Sequence, residues 1–188
     1  MNPAIQEGWV LEIATDYRRL NSITKTDNYS VAHSMELLTD PQLGEAKYFV
    51  ATDMAGAYFA VPVKEEDQEK LTIVSPFGTY KFLRMPFGPK NACGSYARLM
   101  RQVYGPQVDR KGLLGFFDDN LITGVTFMQT LARFAEFLLR TQEANLRIKT
   151  TKTELFVRKT TWLGHEIGIG QISPSERLTE AINDWPHR

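Results

Sequence analysis

Three aspartates set inside apolar sequence constrain this chain more than any other feature. Asp53 interrupts YFVATDMAGAYFAVPV (48–63), a stretch rich in aromatic and β-branched residues. That stretch predicts a strand running into a tight turn or short helix around Ala55-Gly56-Ala57. Asp118 and Asp119 stand side by side in GLLGFFDDNLITG (112–124). Two short apolar runs there predict a β-hairpin with the acids at or beside its turn. A carboxylate within a buried sheet is costly unless paired, hydrogen-bonded or bound to a metal, and adjacent carboxylates resist joint ionisation. A divalent cation resolves both difficulties. Hard oxygen donors without a Cys/His cluster favour Mg²⁺ and lead to two-metal phosphoryl transfer. The competing reading stays open at this point: Asp-Asp-Asn suits a turn, and a strand-end Asp can cap a helix.

The rest of the pattern mixes the two periodicities. LTIV (71–74), the turn SPFG (75–78) and TYKFLR (79–84) predict a hairpin whose second strand alternates sides. Pro86, Gly88 and Pro89 break it, and Ala92, Tyr96, Leu99, Met100 and Val103 then recur at helical spacing. Thr126 and Gln129 suit a capping box, opening a helix with Phe127, Leu131, Phe134, Ala135 and Leu138 on one stripe. After the basic stretch LRIKTTKTELFVRK (146–159), a short hairpin is expected around WLGHEIGIGQI (162–172). Ser173 as N-cap, Pro174 at the first helical position and Glu176 announce a last helix, with Leu178, Ala181, Ile182 and Trp185 on its apolar face. The predicted fold class is α+β: an antiparallel sheet with helices on one face, close to a split β-α-β arrangement.

Composition excludes several alternatives. With 188 residues, 43% apolar and 23% charged, the chain has an ordinary globular balance. One cysteine, Cys93, rules out an intrachain disulfide framework, and the three histidines beside it do not make a zinc cluster of ordinary spacing. No apolar run approaches the ~20 residues of a membrane helix, and the opening stretch lacks the pattern of a signal peptide. An intracellular protein, cytoplasmic or nuclear, with no membrane partner is expected. Twenty-two basic and 22 acidic residues cancel, yet residues 1–75 hold 6 Lys/Arg against 12 Asp/Glu, whereas 81–159 hold 14 against 6. A basic half suggests a surface that meets a polyanion, and solvated helix faces are the competing reading.

Read together, the segments resemble a reverse transcriptase of gypsy-class long-terminal-repeat retrotransposons, with retroviral enzymes as more distant relatives. DYRRLN (16–21) and KTDNYSV (25–31) look like that family's fingers motif, and TDMAGAYFAVPV (52–63) like its first catalytic motif. SPFGTYKFLRMPFGPKNA (75–92) is similar to its fingers-to-palm passage, and FFDD (116–119) stands where the family has tyrosine, a variable residue and two aspartates. LRIKTTKTEL (146–155) is similar to the basic motif, LGHEIG (163–168) to the primer-grip hairpin, and ISPSERLTEAINDWP (172–186) to the start of the thumb connection.

The resemblance implies a polymerase palm with a partial fingers subdomain: fingers over 1–25 and 62–86, palm over 26–61 and 87–170, and the start of a thumb or connection over 171–188. It implies extension of an RNA or DNA primer–template with deoxynucleoside triphosphates, within a larger pol polyprotein carrying thumb, ribonuclease H and integrase. Asp53, Asp118 and Asp119 would be the catalytic and metal-binding acids, using Mg²⁺ with Mn²⁺ as a possible substitute. Tyr58 would lie beneath the incoming sugar, and Phe87 and Gly88 beside the nascent base pair. Lys152 would be the proton donor to pyrophosphate, and Trp162, Leu163, Gly164, His165 and Glu166 the primer grip. Arg18 would support the fingers fold. The chain departs from the family at Glu12, where a triphosphate-gripping arginine is usual, and at Cys93, Phe116 and Asn120, where proline, tyrosine and an apolar residue are usual. The alternative is a catalytically silent retroelement remnant, acting at most as a nucleic-acid-binding or interaction module.

Overall fold

A computed structural model describes residues 15–31 and 33–176. In chain order, α1 (Arg18–Ile23), α2 (Ser34–Leu38) and α3 (Pro41–Glu45) lead into β1 (Tyr48–Asp53). A 3₁₀ turn (Tyr58–Ala60), α4 (Glu65–Gln68) and the hairpin β2 (Thr72–Ser75)–β3 (Gly78–Lys81) follow. The long helix α5 (Ala92–Asp109), β4 (Leu113–Phe116), β5 (Asp119–Gly124) and α6 (Phe127–Glu143) form the centre. A 3₁₀ turn (Thr150–Lys152), β6 (Glu154–Val157) and three short strands, β7 (Lys159–Trp162), β8 (His165–Gly168) and β9 (Gln171–Pro174), complete the described chain. No helix among the described residues is long and apolar enough to cross a membrane.

The main sheet has the order β4-β5-β1-β6 and is antiparallel throughout. Its two central strands are apolar on both sides because both faces are covered. Val50, Met54 and Ile122 face α5 and α6, packing with Tyr104, Phe137 and Leu146. Phe49, Leu114 and Leu121 face the other way, toward Leu38, Leu43 and Ala46 from the α2–α3 region and Trp162 and Ile167 from the small β7-β8-β9 sheet. The predicted α+β class and antiparallel sheet are therefore present, with the two long helices on one face and a second sheet on the other. Thr123 is buried in β5, and its hydroxyl donates to Gln42 Oε1 at 3.0 Å, which removes the cost of a polar group there.

Four local expectations change. β3 pairs with β2 as predicted, but all four of its residues are exposed, so this hairpin has no buried face and no alternation. On α6 the buried positions are Thr130, Phe137 and Thr141, while Leu131, Ala135 and Leu138 are exposed. The buried face is rotated because threonines can occupy it: Thr130 Oγ1 donates to Thr126 O, and Thr141 bonds to Phe137 O and to the Tyr104 hydroxyl. Only half of the capping box forms, since the Gln129 side chain accepts from Val125 N rather than from the N-cap residue. Ser173 and Pro174 belong to β9, paired with Glu166 and His165, so the helix start moves to Glu176. Proline is tolerated because β9 is an edge strand. Leu178, Ala181, Ile182 and Trp185 lie outside the described residues.

Candidate active site

The hairpin joining β4 to β5 sets the site. Phe116 pairs with Asp119, leaving Phe117 and Asp118 as a two-residue turn. Phe117 has φ +51°, a left-handed conformation uncommon for a bulky side chain and a form of local strain that clusters at functional sites. Asn120, buried at the start of β5, donates from Nδ2 to Asp118 O at 3.2 Å and steadies the turn. The polar residue at this departure from the family pattern thus has a structural use.

β1 runs beside β5 in a register that ends at Asp53 opposite Asp119. Direct cross-strand partners share one face with Cβ atoms about 5 Å apart. Met54 N donates to Asp118 O at 2.8 Å, tying the turn to the end of β1. Burial pushes the Asp119 carboxyl up to about 6; its hydrogen bond to Asp53 and the charges of Asp53 and Asp118 act in the same direction, and Lys152 opposes them. Two ammonium groups approach Asp53: Lys152 Nζ lies 3.2 Å and Lys149 Nζ 3.7 Å from Oδ2.

Asp119 opens β5 while Asp118 belongs to the turn before it, and the two line different clefts. Asp53, Asp119, Lys152, Trp162 and Leu163 line one of about 160 Å³. Asp118, Tyr58, Phe87, Tyr96 and Lys149 line the other, of about 230 Å³. Asp53 and Asp119 are thus brought together, and Asp118 stands beside them on the far side of the turn. Among the described residues no group of three or more His, Cys, Asp or Glu is placed to hold a metal ion. The donor chemistry fits a divalent cation nonetheless: the acids supply only hard oxygens, and one of them, Asp119, holds its negative charge poorly.

The other singled-out residues fall around these clefts. Tyr58 sits in the 3₁₀ turn after β1, its ring edge-on to Phe87 (centroids 5.0 Å) and Tyr96 (5.6 Å). Its hydroxyl lies 3.1 Å from Cys93 Sγ, and burial raises its pKa. Gly88 has φ +102°, and a Cβ there would meet Tyr17 Cδ2 at 3.1 Å, so glycine is required. The tight β7–β8 turn is Leu163-Gly164, both with positive φ, as a two-residue hairpin demands. Trp162 is buried in the core, His165 Nδ1 is 3.0 Å from Leu163 O, and Glu166 pairs with Lys159 at 2.7 Å. Arg18 is 90% exposed and pairs only locally, with Asp16, so the packing of the fold does not depend on it. Glu12 lies outside the described residues.

Sequence reading passed over Lys149 and the Cys93–Tyr58 contact. The second could not be foreseen, because 35 positions separate the partners. For Lys149 the signal was its place in the basic stretch, but only the bridge between Met54 and Ile148 brings it to the acids.

Known proteins resemble this chain over most of its length. A family model described as "Reverse transcriptase (RNA-dependent DNA polymerase)" matches residues 8–167. The Retrovirus-related Pol polyprotein from transposon 297 of Drosophila melanogaster is 29% identical over 174 residues, 93% of this chain and 16% of that protein. The corresponding polyprotein from transposon 412 is 28% identical over 178 residues, 95% of this chain and 14% of its own length. The chain therefore spans about a sixth of the curated relatives it matches. Among solved structures, the foamy viral protease–reverse transcriptase in complex with an RNA/DNA hybrid aligns with TM-score 0.81 at 19% identity, over 92% of this chain and 23% of that one. A form in complex with double-stranded DNA gives 0.84, also at 19% identity, over 92% of this chain and 30% of that one.

Proposed function

Because this chain belongs to the reverse transcriptase (RNA-dependent DNA polymerase) family, we propose that it is the fingers–palm part of a template-directed DNA polymerase. It extends the 3′-hydroxyl of a primer on an RNA or DNA template with deoxynucleoside triphosphates. The observation that carries the proposal is the register placing Asp53 opposite Asp119 in the smaller cleft, with Asp118 in the adjoining β4–β5 turn and lining the larger one. Residues 1–25 and 62–86 serve as fingers, 26–61 and 87–170 as palm, and 171–188 as the start of the thumb connection. The remaining parts of a pol polyprotein supply thumb, ribonuclease H and integrase, and the work is done inside the cell.

Asp53, Asp118 and Asp119 would hold two Mg²⁺ ions (or Mn²⁺), whose chemistry is to acidify the primer hydroxyl and to hold the triphosphate and departing pyrophosphate. The chain's own residues do the rest. The Tyr58 ring floors the larger cleft and excludes a 2′-hydroxyl by bulk. Phe87 and the glycine beside it back the nascent base pair with bare main chain. Lys152 holds a proton 3.2 Å from Asp53 and can release it to the pyrophosphate oxygen. The β7–β8 turn, Trp162 to Glu166, positions the primer end next to Asp53 and Asp119.

Primer extension with Mg²⁺ present and then chelated tests the reading. Asp53→Asn is expected to abolish extension while leaving the far-ultraviolet circular dichroism intact. Extension at the parental rate by this variant overturns the assignment. The silent-remnant alternative predicts no extension by the parent chain, so the same assay separates the two.

A further inference from the structure

The larger cleft carries a charge that the mechanism above leaves without a task. Among the residues lining it, Asp118 is the acid and Lys149 the sole cation. The other described lining residues are uncharged, five of them aromatic: Tyr58, Phe59, Phe87, Tyr96 and Phe117. Lys149 Nζ lies 3.7 Å from Asp53 Oδ2, outside hydrogen-bonding distance, whereas Lys152 Nζ at 3.2 Å is within it. Asp53 is therefore hydrogen-bonded by Lys152, while the partly exposed Lys149 ammonium holds a looser ion pair with it and has donors left for another acceptor.

Its backbone is fixed although its charge is not. Lys149 N donates to Asp53 O at 2.9 Å, and the neighbouring Ile148 bridges to Met54, so the root of the side chain is pinned to the catalytic strand. A flexible four-carbon stem on a fixed root is suited to meeting a mobile, multiply charged group as a point cation. An anion entering a cleft walled by aromatic rings and a carboxylate meets a repulsion that a cation beside the carboxylate lowers.

We propose that Lys149 is a substrate-binding residue of the larger cleft, its ammonium taking the triphosphate of the incoming nucleotide. This rests on the polymerase reading above and adds to it a named phosphate ligand. On binding, the ammonium swings from Asp53 to the phosphate oxygens, and Asp53 keeps Lys152 as its partner. Lys149 thereby joins nucleotide arrival to the state of the acidic centre.

The test is steady-state primer extension on a fixed primer–template, comparing the parent with Lys149→Gln and Lys149→Arg, together with equilibrium binding of dTTP and of inorganic tripolyphosphate. Loss of one charge-assisted contact to phosphate corresponds to about 10- to 100-fold in affinity. Lys149→Gln is expected to raise the KM for deoxynucleotide by that factor with kcat changed much less, and to weaken tripolyphosphate by a similar factor. Lys149→Arg keeps the charge and restores most of the loss, which a purely structural role would not require. Extension by both parent and Gln variant with the same KM overturns the inference alone. If the parent does not extend primers, the polymerase reading fails, and the binding arm still decides: equal tripolyphosphate affinity in parent and Gln variant overturns a phosphate role for Lys149.

Discussion

The Asp53–Asp119 pair makes a prediction that needs no substrate. In the folded chain the Asp119 carboxyl is pushed up from 3.8 to about 6, first by burial and then by the hydrogen bond and charge of Asp53. A raised carboxyl contributes stability that is fully present below its unfolded value, near 4, and is lost as the pH rises through 6. At neutral pH the folded state therefore carries an electrostatic cost. The full displacement corresponds to about 3 kcal/mol at 1.36 kcal/mol per unit. The group is about half exposed, and solvent screening reduces this to roughly 1.5 kcal/mol. Asp119→Asn keeps the shape and the hydrogen bond and removes the charge. Urea unfolding is expected to show the variant about 1.5 kcal/mol more stable than the parent at pH 7.5, in metal-free buffer. The gap should narrow steadily toward pH 4, most of the change falling between pH 4 and 6. Millimolar Mg²⁺ is expected to stabilise the parent more than the variant. A variant no more stable than the parent at pH 7.5, or a gap independent of pH, refutes the claim that these two acids repel one another in the fold.

Two further substitutions test other parts of the layout. Tyr58→Ala removes the ring that floors the larger cleft, and its expected effect is at least a tenfold rise in ribonucleotide incorporation relative to deoxynucleotide; an unchanged ratio in single-nucleotide extension removes Tyr58 from the sugar site. Gly124→Ala places a Cβ 2.3 Å from Thr130 Oγ1 and 3.0 Å from Thr130 N, a collision with main chain. It should cost about 1–3 kcal/mol in urea unfolding, and an unaltered midpoint shows that β5 and α6 do not meet as closely as described.

How much of this was legible beforehand depends on range. Local chemistry read well: the acids at the β4–β5 turn, the β2–β3 hairpin, a helix beginning near Ala92 and a hairpin within 162–172 all follow from residues a few positions apart. Faces read poorly. The stripe through Leu131, Ala135 and Leu138 looked like the core side of α6, yet Thr130 and Thr141 are inside because both donate to backbone carbonyls and Thr141 Oγ1 accepts from the Tyr104 hydroxyl. Hydrophobicity alone cannot see such partners. Pro174 misled for a related reason: a proline suits a helix start and an edge strand equally, and the pairing of His165 decides.

The candidate site shows the same division between what spacing implies and what register adds. The neighbouring aspartates fall on different elements, Asp119 opening β5 and Asp118 closing the turn before it. With Asp53 registered against Asp119, those two line the smaller cleft, and Asp118 in the turn lines the larger. Ile148 bridges to the residue after Asp53, so the loop behind it delivers cations on both sides, Lys152 to the cleft of Asp119 and Lys149 to that of Asp118. Each acid of the pair therefore shares its cleft with a different lysine, and both lysines approach the acid on β1. That acid meets a lysine from each cleft, which is why a change of charge at Asp53 should be felt in both.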